Sequence, residues 1–153
     1  MNPKFQAWFS QHKIPEALCG FDEFFVQDPT YRGEHDFVLA VGELLRWAKR
    51  GHESAASLGF EEAVRRLIDR KALVSALRLL RTYKLLTQEA RIELSFNIAS
   101  ILELTAAAVN EAGNEVSQNE SLRTLVLLVS EQFPQFKGMI GLKGDQKEHV
   151  DKS

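Results

Sequence analysis

Histidine and cysteine side chains are the groups in this chain with the most scope for metal binding or nucleophilic catalysis. Two metal ligands on one helix usually stand three or four residues apart, because that spacing puts both on one face. No pair among the four histidines has this spacing; they are His12, His35, His52 and His149. Glu34, His35 and Asp36 are consecutive, so they diverge around a helix and cannot enclose one ion. The spacing therefore predicts no metal site.

Nucleophilic and phosphate-binding motifs are equally weak. Cys19 is the single cysteine and lies in an apolar segment, where a cysteine is usually a small buried residue. The sequence GLKG at 141–144 is too short for a phosphate-binding loop and follows no predicted strand. The carboxylates of Glu16, Asp22 and Glu23 show no spacing that singles out a catalytic pair. We therefore expect no catalytic residue and no cofactor, and an interaction protein rather than an enzyme.

Charge is distributed unevenly along the chain, although the formal net charge is only −2. Residues 46–91 carry eleven basic and five acidic side chains, whereas the two flanking segments together carry eight basic and sixteen acidic ones. A basic middle segment between acidic flanks indicates a surface that meets acidic groups.

The basic segment has one positively charged helical face. On a helical wheel of residues 65–86, at about 100° per residue, the leucines and alanines gather on one side. The opposite side is the predicted binding face, and its basic residues are Arg66, Arg70, Lys71, Arg78, Arg81 and Lys84. Val74, Leu77 and Leu85 lie among them, either buried under arginine stems or in contact with another helix.

Three interpretations of this basic face differ in what neutralises it. The arginines could pair with carboxylates of the same fold, in the acidic N-terminal third or at Glu93 and Glu103, or simply be solvated. They could bind an acidic protein partner, or they could bind the phosphates of a nucleic acid with steep salt dependence. An isoelectric point near 6.1 and the absence of a recognisable nucleic-acid-binding motif favour a protein partner over a nucleic acid. Membrane binding is disfavoured, because the apolar face is needed for the core.

Aromatic residues are concentrated in the N-terminal third of the chain. Nine of the fourteen aromatic side chains precede residue 48. They form either a small hydrophobic core or a surface for a partner or a second copy of the chain, since aromatics are enriched at interface centres. Phe24 and Phe25 are adjacent and cannot both face one narrow seam. We therefore include Trp8, Phe24 and Phe25 as candidate binding residues.

The pattern of apolar residues indicates helices throughout. No proline interrupts residues 30–133. The predicted helices cover about 3–12, 15–27, 35–50, 59–71, 72–86, 88–112 and 118–133, and the helix over 59–71 either ends near Lys71 or continues into the next one. We expect a loop at 27–36 and a loop or a frayed turn at 51–59.

The segment over 88–112 carries two conflicting patterns. Residues 91–98 alternate polar and apolar side chains as a strand would, but the alanine- and leucine-rich sequence that follows favours one continuous helix. Thr87 is its predicted N-cap and Gly113 its predicted end. Ser117 and Glu120 have the spacing of a capping box for the last helix.

These features together predict an all-α protein: a single compact bundle of five to seven helices around a long central helix over about 88–112. The predicted domain covers 1–137, and 138–153 would be a flexible tail. The single cysteine fits a reducing compartment, and neither a signal peptide nor an apolar run of about 18 residues is evident. We therefore expect a cytoplasmic adaptor, inhibitor or subunit of a larger assembly. A nucleic-acid-binding accessory subunit is the alternative, and a small enzyme is the third choice.

Overall fold

The computed structural model describes Leu18, residues 34–91, Phe96 and residues 98–141. These residues are almost entirely helical and include no strand, which confirms the predicted all-α class. A π-helical turn, Ala48–His52, joins the first two helices described. The α-helices are α1 Glu34–Trp47, α2 Glu53–Asp69, α3 Leu73–Ala90, α4 Ile98–Glu111, α5 Gly113–Gln118, α6 Glu120–Gln132 and α7 Pro134–Met139.

The chain divides into two compact units, residues 1–97 and residues 98–153. Helices α1 to α3 belong to the first unit and α4 to α7 to the second. Each unit has its own buried apolar side chains. The single domain predicted over 1–137 stays a prediction.

Helix α2 begins earlier than its sequence pattern indicated. The predicted loop at 51–59 is wrong, because α2 already starts at Glu53. Its buried side begins at Ala56 and continues through Phe60 and Val64, so the apolar stripe extends one turn further towards the N-terminus than expected. Gly51 has φ of 103°, a left-handed value that glycine adopts without steric cost. The kink at Gly51 lets the chain pass from α1 into α2 through a π-helical turn.

The core of the first unit lies where α1, α2 and α3 contact one another. Three aromatic rings meet there: the centroid of Phe60 lies 5.2 Å from that of Tyr83 and 5.9 Å from that of Phe96. The rings of Tyr83 and Phe96 are stacked at 5.3 Å. Around them the helices bury aliphatic side chains, among them Val41, Leu44, Leu45, Val64, Leu67, Leu77, Leu79 and Leu80. This packing fixes which face of α3 points outward.

The long helix predicted over 88–112 is wrong, because the chain leaves the helical conformation at Arg91. Helix α3 runs on to Ala90, and Arg91 then adopts a left-handed φ of 52°. Thr87, the predicted N-cap, lies inside the last turns of α3, where its hydroxyl donates to the carbonyl of Lys84 at 3.0 Å. A left-handed residue ends a helix whatever its side chain. The next helix described, α4, begins at Ile98.

The second unit is built from helices connected by short turns. Contacts join α4 to α5 and α7, and α6 to α5 and α7. The fully buried residues include Ile101, Leu102, Val109, Val116, Val129 and Phe136. Gly113 begins the short helix α5 directly after α4, and Pro134 takes the first position of α7, where proline is favoured.

Asn119, and not Ser117, caps helix α6. The side-chain oxygen of Asn119 accepts a hydrogen bond from the amide of Leu122 at 3.1 Å. Ser117 lies inside α5, and its hydroxyl donates to the carbonyl of Gly113 at 2.9 Å. The predicted capping box is therefore wrong, because Asn119 lies immediately before the first helical residue and already satisfies an amide of the first turn.

The C-terminal end of the second unit is attached to α4 by Asn110. Its side-chain amide donates to the carbonyl of Met139 at 3.0 Å, and its oxygen accepts from the amide of Gly141 at 2.8 Å. The boundary predicted at residue 138 for a flexible tail therefore falls within helix α7, and residues 142–153 lie outside the described residues.

Candidate interaction surface

The structure divides the predicted basic face between two helices and the turn that joins them. Arg66 lies on α2, and Arg70 and Lys71 lie in the turn. Arg78, Arg81 and Lys84 lie on α3 and are partly exposed, whereas the first three are exposed. The helical wheel drawn through 65–86 assumed one continuous helix. Because the chain turns at residues 70–72, only the α3 residues keep the predicted relation to one another.

The turn between α2 and α3 is closed by backbone hydrogen bonds. The amide of Lys71 donates to the carbonyl of Ile68 at 3.0 Å, and that of Ala72 donates to Leu67 at 2.8 Å. Lys71 has φ of 63°, the left-handed conformation that ends many helices. The turn thus reverses the chain and allows both helices to bury their apolar faces in one core.

Part of the positive charge is already matched within the chain. Arg65 and Arg66 lie one helical turn after Glu61 and Glu62, with nitrogen–oxygen distances of 3.7 and 3.1 Å. Exposed pairs of this kind contribute a few tenths of a kcal/mol, so they reduce the local charge more than they add stability. Three further predicted residues also interact with other groups of the chain: Arg70, Arg78 and Lys84.

Lys71 and Arg81 differ from these cations. Within the residues that the structure describes, neither takes part in an ion pair. Lys71 is exposed and Arg81 is half-exposed. Pairing with carboxylates of the same fold therefore accounts for Arg65 and Arg66, whereas Lys71 and Arg81 are left to solvent or to a partner.

Aliphatic side chains interrupt the cations on the outer face of α3. Val74 is 40% exposed and Leu85 is 39% exposed. Leu77, which lies among the same cations on the helical wheel, is fully buried. Eleven residues are almost three helical turns, so Val74 and Leu85 lie within about 20° of one line along the helix and about 16 Å apart. Arg78 and Arg81 lie between them, within about 40° of that line. We call Val74, Arg78, Arg81 and Leu85 the α3 stripe.

The buried side of α3 fixes the rotation of the helix and so keeps the stripe exposed. Ala76, Leu79 and Leu80 are fully buried, and Tyr83 is nearly so. Rotating the helix to hide Val74 and Leu85 would bring these residues into water, at about 25 cal/mol for each Å² of apolar surface exposed. The exposure of the two aliphatic side chains is therefore a consequence of the core and not of a loosely placed helix.

Among the described residues, Tyr83 has a side chain whose pKa is changed by the fold. Burial against Phe60 and Phe96, together with the smaller effect of the negative charge of Glu53, raises the pKa of its hydroxyl to about 12. A neutral phenol in an apolar cluster is typical of a core residue. Tyr83 therefore stabilises the packing of the buried side of α3 and adds no reactive group to the stripe.

The titration of Tyr83 can be measured directly in a Tyr31→Phe variant, which leaves Tyr83 as the single tyrosine. We expect its tyrosinate absorbance to appear with a midpoint near pH 12, well above the ordinary value of about 10. The pKa of Tyr83 is higher in the folded protein than in the unfolded chain, so the protonated phenol favours folding. Its contribution to the free energy of unfolding is complete below about pH 10 and is lost as the pH rises through about 12. A midpoint near 10 in the folded protein would show that Tyr83 is not buried.

The other predicted site residues are aromatic and precede α1 in the chain. Trp8, Phe24 and Phe25 lie outside the described residues.

The described histidines and carboxylates form no metal site. His52 lies in the π-helical turn and its ring stacks on Trp47 at 4.9 Å. Throughout residues 34–91 and 98–141, no three histidine, cysteine, aspartate or glutamate side chains come together as a metal ion would require. In the same residues no helix combines the length and the apolar composition needed to cross a bilayer.

A comparison with protein-family models, with curated proteins and with solved structures finds no match to this chain. The α3 stripe and its surroundings are therefore the features from which a function can be argued. Val74 and Leu85 are not among the predicted site residues. No signal in the sequence separates them from Leu77, which lies among the same cations and is buried.

Proposed function

We propose that this protein is a non-catalytic interaction protein of the cytoplasm, an adaptor, inhibitor or subunit of a larger assembly, and that the α3 stripe binds a protein partner. The observation that supports this most is the exposure of Val74 and Leu85 on either side of Arg78 and Arg81. Exposed aliphatic groups on either side of two arginines match the mixed composition of protein interfaces, where arginine is enriched.

The free energy available at the stripe is moderate. Covering the exposed part of Val74 and of Leu85 contributes on the order of 1 kcal/mol each. A stable interface buries about 800 Å² on each partner, so the stripe must be the centre of a larger contact that includes its neighbours Lys71, Lys84 and Gln88. An acidic partner is favoured because Lys71 and Arg81 attract it at a distance and because arginine pairs with carboxylates in two-point geometry.

The same observations make a nucleic acid the weaker candidate. Phosphates gain nothing from contact with Val74 and Leu85, and pairing with Glu61 and Glu62 lowers the charge contributed by Arg65 and Arg66. We therefore expect little binding of generic DNA or RNA at physiological salt. Submicromolar binding with a steep salt dependence, lost in an Arg78→Ala, Arg81→Ala, Lys84→Ala variant, would favour the nucleic-acid function instead.

Affinity capture of the full chain from its own cell extract tests the proposal. We expect the wild-type protein to retain a partner that a Val74→Ser, Leu85→Ser variant loses by about tenfold or more. The matched control is Leu58→Ser with Leu127→Ser, since these leucines are also exposed but lie on α2 and α6. The proposal predicts that the control keeps the partner. Equal retention by all three proteins, or equal loss in both variants, would contradict a role for α3.

A further inference from the structure

We infer that the partner presents an acidic amphipathic helix to the α3 stripe, an inference that rests on the function proposed above. The stripe is straight and parallel to the axis of α3, because Val74 and Leu85 are separated by almost a whole number of turns. A rod that lies alongside α3 can therefore contact both aliphatic side chains at once. A second helix is such a rod, and helices pack side by side at interaxial distances of about 8–10 Å.

The backbone of α3 favours a helix over an extended peptide. Between its first and last turns, the amides and carbonyls of α3 are used in the hydrogen bonds of the helix itself, so its side offers no edge to which a strand could be added. An extended peptide covering the stripe would leave its own amides and carbonyls against an apolar surface, which costs free energy for each unpaired group. A helical partner satisfies its backbone internally and presents only side chains.

The arrangement of the stripe specifies the side chains of the partner helix. Two aliphatic residues about three turns apart would cover Val74 and Leu85, with carboxylates in the two turns between them. Arg81 and Arg78 would then meet those carboxylates as water is excluded, and a buried arginine needs such a partner. Arg78 already interacts within its own chain, so we assign the larger electrostatic contribution to Arg81.

Synthetic peptides test this inference with the intact protein. The probe is a labelled, alanine-based helix of about 18 residues with two leucines eleven residues apart and two glutamates between them. One matched peptide replaces the glutamates by glutamine, and a second replaces the leucines by serine. Fluorescence anisotropy should show the probe bound by the wild-type chain and each matched peptide bound about tenfold or more weakly.

Variants of the protein provide the reciprocal comparison. Arg81→Gln and the Val74→Ser, Leu85→Ser variant should each weaken probe binding by about tenfold. Lys49→Gln removes one exposed cation from the π-helical turn of the same unit and should leave the affinity unchanged. Raising the salt concentration from about 50 to about 300 mM should weaken the glutamate probe more than its glutamine counterpart.

Other outcomes would overturn the inference in distinguishable ways. No binding of the probe, or equal binding of all three peptides, would exclude an acidic helix as the occupant. An oligonucleotide of about 20 nucleotides that binds more tightly than the probe, and that Arg81→Gln but not the serine variant releases, would assign the stripe to nucleic acid. If affinity capture still finds an α3-dependent partner, only the helical partner is wrong. If capture also finds none, the proposed function fails with it.

Discussion

Replacement of Phe60 by alanine should lower the free energy of unfolding by about 3–5 kcal/mol. Phe60 is fully buried on α2, and its ring lies against the rings of Tyr83 and Phe96. Truncation removes the apolar surface that the ring buries and also leaves a cavity between three elements of the first unit. The loss is large because Tyr83 and Phe96 each lose an aromatic neighbour and cannot both move into the space.

Urea unfolding followed by circular dichroism measures this loss. The control is Leu58→Ala, two residues away on the same helix, where the side chain is 67% exposed and removal should change stability by less than about 0.5 kcal/mol. Phe60→Leu keeps an apolar side chain in the site and should cost less than Phe60→Ala. If Phe60→Ala and Leu58→Ala unfold at the same urea concentration, the aromatic cluster is not the core of the first unit.

Leu102→Ala should cost about 2–5 kcal/mol in the second unit. Leu102 lies near the start of α4, is fully buried and is followed one turn later by the buried Ala106. The change removes a whole isobutyl group from a unit of only a few short helices, where little neighbouring structure can relax into the cavity.

The second unit contains its own control for Leu102→Ala. Leu127→Ala makes the same chemical change on α6, where the side chain is 60% exposed, and should leave stability nearly unchanged. Amide hydrogen exchange should show faster exchange in α4 for the Leu102 variant and no change for the Leu127 variant. An unchanged melting curve for Leu102→Ala would show that the core of this unit has been misplaced.

The helices whose apolar residues repeat at helical spacing could be predicted from the sequence. This holds for α1, for α3 and for α6, where Leu122, Val126 and Val129 repeat at helical spacing and are buried. The ends of the helices were harder to predict, because the left-handed residue that ends a helix is usually a glycine. Arg91 and Lys71 adopt this conformation without being glycine, and no local sequence signal distinguishes them from helical arginines and lysines.

The cationic half of the candidate surface was predictable and its aliphatic half was not. Arg78 and Arg81 follow from the charge pattern alone. The exposure of Val74 and the burial of Leu77 depend on which side of α3 meets α1 and α2, and that is decided by tertiary packing around Phe60 and Tyr83. Val74 and Leu77 lie on the same helix and only about 60° apart around it, so a helical wheel alone does not separate the exposed residue from the buried one.

The central claim is that the outer face of α3 is covered by another protein, and site-specific photo-crosslinking tests it most directly. A photo-crosslinking amino acid is placed at Val74 in one variant and at Leu58, the more exposed position on α2, in another. Both full-length proteins are irradiated in the cells that produce them. We predict a crosslinked protein at position 74 that is absent at position 58. The absence of a crosslinked protein at position 74, or the same products at both positions, would contradict the claim.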